Sequence, residues 1–358
     1  MLRIFVRRSS DVDYFTKDHA QELDGIRADG PGWWLRGSGD TQDSALVAGV
    51  LRSTPRSSVY GYDMVIAAPR PLSILMALDG ASAAGVIAAH RASVRVTVDY
   101  LEQHALVVRD RRMGGDFDDA AQWQSIVSFT HGLNRHGEPH LHDHVLVGAR
   151  PADSSKVLDS RALFAHGAAG DAIYRSSFRH ELAQRTTWSA WRSFEGIEHV
   201  SGLDEGYRSL WGGHHSDRGQ KLHWPRSRVL EQWSRDLERW EPQTLIEAPR
   251  RDRRVIDEHS FGSALEGRLE VSRRHVAAAW ADAATYGTSG DSLRDALDKL
   301  YPELTGGRGV HEPSIGLSEA RMIARVRALG PRPLEATSLD HWRQRERSTE
   351  RSRSGRSR

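Results

Sequence analysis

The 358-residue chain contains no cysteine. Disulfides, thiolate zinc clusters and cysteine nucleophiles are therefore excluded, and any covalent chemistry must use another side chain. Lysine is scarce too: Lys17, Lys156, Lys221 and Lys299 are the whole set, and arginine supplies the rest of the positive charge. Arginine suits bidentate phosphate contacts, although a GC-rich genome gives the same bias. Excess charge of one sign is also lacking. The 50 basic and 48 acidic residues nearly cancel, so net charge does not argue for a nucleic-acid partner. No apolar run approaches the roughly 20 residues that cross a bilayer, and the start, Met1 to Arg8, lacks the apolar stretch of a secretory signal. The expectation is a soluble, cytoplasmic protein, long enough for one large or two smaller domains with a substantial core.

Histidine, by contrast, is concentrated. The run from His131 to His144 also holds His136, His140 and His142, and it lies between two apolar, strand-like segments. His142 and His144 are two apart and lead into Val145-Leu146-Val147, so in a strand both imidazoles leave the same face. Residues 125–130 form a second strand candidate that ends at His131, and antiparallel pairing would set that ring beside the other two. Three neutral imidazoles can hold a divalent ion and leave positions open for substrate oxygen or water. His136 and His140 are alternatives to His131. Their place near Gly137 and Pro139, read as a loop, counts against them. Asp143 should face the opposite way.

Coarse periodicity organises the rest. Residues 2–7 read as a strand, and Asp11 and Asp13 can cap a helix that begins near Tyr14. Residues 31–39 read as a loop or hairpin, and 60–66 as a strand ended by Ala68-Pro69-Arg70-Pro71. Helices are expected over 72–78, 81–104 and 170–191. The first half is thus an α/β or α+β domain with a largely antiparallel sheet. Beyond about Ser201 helical patterns take over, at 229–240, 264–286, 292–300 and 318–329. The stretch from Arg343 is rich in arginine and serine and poor in apolar residues, which predicts disorder. Asp63 lies in an apolar strand, where a carboxylate needs a partner. That partner is either a structural hydrogen-bond donor, the outer N–H of a metal-bound histidine or a tyrosyl hydroxyl.

Together these residues resemble the relaxases of TrwC/TraI type, the conjugative members of the HUH endonucleases. The resemblance rests on His131, His142 and His144 with Pro139-His140-Leu141 before the closing His-x-His, on Asp63 followed by Ala68-Pro69-Arg70-Pro71-Leu72-Ser73, and on Tyr14 near the N-terminus. It covers about residues 1–240. It implies an α+β fold with a largely antiparallel central sheet flanked by helices, then a helical extension over 241–342 and the tail over 343–358. The implied activity is site- and strand-specific nicking and rejoining of single-stranded DNA at the transfer origin of a plasmid or integrative element. His131, His142 and His144 would hold one divalent ion, such as magnesium, manganese or zinc. Tyr14 would be the nucleophile that forms a 5′ phosphotyrosyl link, and Asp63 the supporting carboxylate. Trp33, Trp34, Trp211 and Trp224 are candidates for stacking on bases, and Arg218 and Lys221 for contacts from a mobile flap.

Three departures from the family pattern matter. The usual Ser-Ala-Pro-Lys-Ser is Ala67-Ala68-Pro69-Arg70-Pro71 here. Phe15 follows Tyr14 where many members pair two tyrosines. No Gly-x-x-x-x-Gly-Lys-[Ser/Thr] occurs, so unwinding is expected from a separate helicase, with conjugation coupling proteins as further partners and no membrane insertion. Two other readings compete with a relaxase: a metal-dependent hydrolase that uses water, and an origin-binding protein without catalysis.

Overall fold

The computed structural model describes residues 1–10, 33–36, 50–51, 58–78, 80–108, 126–151, 156–193, 195–203, 206, 211, 226–239, 256–266, 268 and 271–305. Tyr14, Arg218, Lys221, Trp224, the helices expected after Asp11 and at 318–329, and the tail lie outside these residues.

Five strands build one antiparallel sheet: β1 (Leu2–Arg7), β2 (Trp33–Arg36), β3 (Gly61–Ala67), β4 (Ile126–Leu133) and β5 (Pro139–Gly148), in the order β1-β3-β5-β4-β2. The helices are α1 (Arg70–Leu78), α2 (Gly80–His104), α3 (Ser160–Ala165), α4 (Gly167–Arg185), α5 (Arg226–Glu238), α6 (Glu258–Leu265), α7 (Arg273–Ala283) and α8 (Gly290–Thr305), with a small hairpin of β6 (Ala190–Arg192) and β7 (Glu198–Val200) after α4. This is the expected α+β fold with an antiparallel sheet and flanking helices.

Alternation along the strands gives the sheet two different faces. One carries Met64, Ile66, Leu141, Val145 and Val147, which are buried in the main core with Val94, Val98 and Leu101 of α2 and Tyr174 and Phe178 of α4. Those two helices cover that face. The other face carries Asp63, His142, His144 and His131, and one end of it is closed by a smaller cluster of Val50, Leu51, Val127, Phe129 and Leu146. The apolar alternation thus leaves the histidine end of this face for chemistry.

Two expected helices come out differently. The pattern over 170–191 stops at Arg185, where the Thr186 hydroxyl donates to Leu182 O and its oxygen accepts from Trp188 N, and the chain turns into the β6–β7 hairpin. The pattern over 264–286 is two helices. Asp257 caps α6 through His259 N and Ser260 N, and Ser272 with His275 forms a capping box on α7. Side-chain acceptors at these positions start new helices more effectively than apolar periodicity can continue old ones. Helices α6, α7 and α8 share the main core with α4.

Near the end of α2, Tyr100 meets His166 at 3.0 Å and lies beside His104 with the two rings tilted. Burial first, then the charges of Arg273 on His104 and Arg274 on His166, lowers both imidazoles to about 4. Both pKa values are therefore depressed on folding, so their contribution is complete above about pH 6.5 and disappears as the pH falls toward 4. The thermal midpoint should fall steadily across that window. A double variant, His104→Leu with His166→Leu, should show a shallower fall, and an unchanged slope would remove these two residues from the account.

Candidate metal centre

The antiparallel register sets the three predicted histidines together. His131 of β4 stands opposite His142 of β5, and His144 stands opposite Phe129, two pairs further along. The ring centroids form a nearly equilateral triangle: 5.3 Å from His131 to His142, 5.4 Å from His131 to His144 and 5.3 Å from His142 to His144. His131 is buried, and His142 and His144 are largely so. Among the described residues no group of three or more His, Cys, Asp or Glu side chains is arranged to hold a metal ion. The triangle nevertheless has suitable dimensions. An ion ~2.1 Å from the nitrogen of each ring, at tetrahedral angles, would hold the centroids about 5.3 Å apart.

Two of the imidazoles have their outer nitrogen held from behind. His144 Nδ1–H donates to Asp63, at 3.0 Å from Oδ1 and 3.1 Å from Oδ2. His142 Nδ1–H donates to the carbonyl of His140 at 2.8 Å. Both acceptors lack a proton to give, so each fixes the tautomer that keeps Nε2 as a lone pair. Burial, followed by the charges of His140, His131 and His144, pushes the His142 pKa well below its usual value. A neutral imidazole is the form that binds metal. The donor set fits a divalent ion, and Asp63 has found its partner in a histidine of the cluster.

The other residues singled out fall variously. Asp143 turns to the opposite face as expected. There its carboxylate accepts from Ser128 Oγ at 2.6 Å and pairs at 2.9 Å with Nε2 of His90, whose Nδ1 meets the Tyr174 hydroxyl at 2.7 Å. Burial opposes the ionised form of Asp143, but His90 and the hydroxyl donors outweigh it and lower the pKa to about 2. His140 corrects an expectation: it belongs to strand β5, not to a loop, and it is on the same face as His142 with ring centroids 4.7 Å apart. His136 lies in the turn. Trp211 is a core residue, 3% exposed, with Nε1–H donating to Asp236, which removes it from the stacking candidates. Trp33 and Trp34 stand in β2 opposite Phe129 and Ser128. Tyr14 and Trp224 are outside the described residues.

The hairpin that presents the three histidines is braced at its tip by residues that sequence reasoning passed over. Asn134 Oδ1 accepts from His136 N and Glu138 N, and Gly137 takes a positive φ of 78° that closes the turn. Glu138 Oε2 accepts from Asn134 Nδ2 and, at 3.1 Å, from Arg70 at the start of α1. Trp233 of α5 donates from Nε1 to Gly137 O at 2.9 Å. Ser73 Oγ accepts from Leu141 N, which ties α1 to β5 beside the histidines. The Asn-x-x-Gly-Glu spacing marks the turn in the sequence, but nothing there points to Arg70 or Trp233 as its supports.

The family model for the TrwC relaxase matches residues 14–254. In fold, the chain is similar to the TrwC relaxase complexed with a 27-mer DNA comprising the recognition hairpin and the cleavage site, with a TM-score of 0.50. It is likewise similar to the metal-bound and metal-free structures of the conjugative relaxase TrwC in complex with oriT DNA, each with a TM-score of 0.52. Identity is 18% in all three, over 67% of this chain and 98% of each relative. No curated protein matches the chain in sequence. With a family match over more than half its length, and the sheet, helices and histidine hairpin described above, the chain belongs to the TrwC relaxase family.

Proposed function

We propose that this protein nicks and rejoins one DNA strand at a transfer origin, with His131, His142 and His144 as the ligands of a single divalent ion, Tyr14 as the nucleophile and Asp63 as the residue that orients His144. The observation that carries this reading is the triangle of three imidazoles with Asp63 behind one of them. Family membership gives DNA nicking in conjugation. The match begins at Tyr14, and similar TrwC structures hold oriT DNA, with a metal bound in two of them.

Held by His131, His142 and His144, a divalent ion would supply Lewis acidity at the scissile phosphate. The phenolic oxygen of Tyr14 attacks phosphorus in line, and the bond from phosphorus to the 3′ oxygen breaks. The phenol loses its proton and the departing 3′ oxygen gains one. The 5′ phosphate stays on Tyr14, so the bond energy is conserved and a 3′ hydroxyl can reverse the exchange without ATP. Asp63 keeps the Nε2 lone pair of His144 turned into the cluster. Its two oxygens already share the His144 N–H, which supports an orienting role over that of a base for the tyrosine.

The test uses a labelled single strand that spans the origin, incubated with the purified protein and a divalent ion, then a denaturing gel and peptide mapping. A covalent adduct on Tyr14 is expected, absent with a chelator and absent from Tyr14→Phe. Cleavage that survives Tyr14→Phe without an adduct would instead identify a water-using hydrolase. Binding with no cleavage under any divalent ion would leave an origin-binding protein.

A further inference from the structure

Among the described strands β1 is one of the two edges of the sheet, and its two faces have different surroundings. Leu2 and Ile4 point at α4, where they lie against Gly167 and Gly170. Arg3, Phe5 and Arg7 leave the other face. Arg3 is exposed, Arg7 is half-buried and Phe5 is 49% exposed. An aromatic ring left half in water on an edge strand between two arginines is not explained by packing.

The register says what lies beside it. Phe5 is the direct partner of Asp63, and Arg3 that of Val65. Val65 in turn is the partner of His144. Arg3, Phe5 and Arg7 therefore share the face of the imidazole cluster, and Phe5 adjoins the carboxylate that holds His144. Two strand spacings, about 10 Å, separate β1 from β5. Alternate residues along β1 succeed one another at about 6.7 Å, a step comparable to one nucleotide of an extended strand. On this face of β1 and β3 the acidic residue is Asp63, and its oxygens are occupied by His144.

We propose that β1 is a single-stranded DNA track leading to the metal centre, in which one base stacks on Phe5 and the backbone phosphates on either side are held by Arg3 and Arg7. The inference rests on the nicking function proposed above and adds where the strand runs. Stacking on an aromatic face together with arginine contacts to phosphate is the general mode by which single strands are held without regard to sequence. A second polypeptide adding itself to the edge is the competing occupant. Asp171 already takes the outward-facing amide of Leu2, at 2.8 Å, which obstructs a continuous ladder there.

The experiment measures anisotropy of a labelled mixed-sequence 25-mer single strand against wild type, Phe5→Ala, Phe5→Trp and Arg3→Ala at several salt concentrations, with nicking of the origin strand and thermal unfolding in parallel. Phe5→Ala is expected to weaken binding about 5- to 100-fold, and Phe5→Trp to preserve it. Arg3→Ala should reduce the slope of log affinity against log salt by about 0.7. All three variants should unfold as the wild type does. If the wild type binds and nicks while the variants match it, the track is wrong and the nicking function stands. If the wild type neither binds nor nicks, the function itself has failed and the track with it. Variants that self-associate at unchanged affinity would show that Arg3 and Phe5 guard the edge against strand pairing, which also overturns the proposal.

Discussion

Arg179→Ala is expected to lower the stability of the fold by about 3–5 kcal/mol, the range for breaking a buried ion pair. Arg179 is fully buried in α4. Its Nη1 donates to Glu198 at 2.7 Å, and Nη2 donates to the carbonyls of Ala284 at 2.9 Å and Ala281 at 3.3 Å. The Ala281 carbonyl belongs to the last turn of α7, and that of Ala284, just past it, also accepts from Gly287 N at 2.9 Å. One guanidinium therefore ends α7, neutralises β7 and joins both to α4. Burial lowers its pKa, and Glu198 opposes that shift, so the charge persists because its partner is in place. Truncation would leave the Glu198 carboxylate with Arg175 at 3.7 Å as its nearest cation, and would take the guanidinium donor from the carbonyls of Ala281 and Ala284. Urea unfolding of Arg179→Ala should show a lower midpoint with an unchanged slope. The double variant Arg179→Met with Glu198→Gln should recover part of the loss, since it removes the stranded charge. A loss under about 1 kcal/mol would mean that the network relaxes around the gap.

This junction also marks where sequence reading stops. The strands and the face shared by His142 and His144 follow from period-two alternation, and the pairing with His131 from an antiparallel hairpin, so the site was legible in a few adjacent residues. Arg179 was not. In a helix with arginine at 175, 179 and 185, charge alone places each residue at the surface, and only the approach of α7 buries the middle one. The same holds for the chain Tyr174, His90, Asp143 and Ser128: its members come from α4, α2, β5 and β4, and they meet because α2 and α4 pack on the back of the histidine-bearing strands. Periodicity reports what one element wants to bury, whereas these contacts depend on which elements meet. The β6–β7 hairpin and the break between α6 and α7 were missed for the opposite reason. They hang on single capping hydroxyls and carboxylates, too local to change an apolar pattern averaged over a dozen residues. His140 was misplaced because Gly137 and Pro139 signal a turn, and the turn in fact closes before it, at Asn134 to Glu138.

Replacing Asp63 separates two roles that nicking chemistry could give it. As the acceptor for His144 Nδ1–H, it acts through the metal: Asp63→Asn should weaken divalent-ion affinity about 10- to 100-fold, the usual cost of losing a partner behind a ligating histidine. Cleavage by this variant should then return toward the wild-type rate as the ion concentration is raised. As the base for the attacking tyrosine, it would act after metal is bound, and no amount of ion would restore the rate. Isothermal titration of the ion, with single-turnover nicking at rising ion concentration, reads both quantities. The present geometry favours recovery, since both carboxylate oxygens lie within 3.1 Å of the same ring nitrogen. His142→Ala is the reference for the other extreme, because it removes a proposed ligand and not its support. Its cleavage should stay low at every ion concentration, while its fold survives because the His142 side chain borders the site and not the main core. If Asp63→Asn follows His142→Ala and never recovers, the carboxylate belongs to the proton-transfer chemistry, and the orienting role assigned to it must be abandoned.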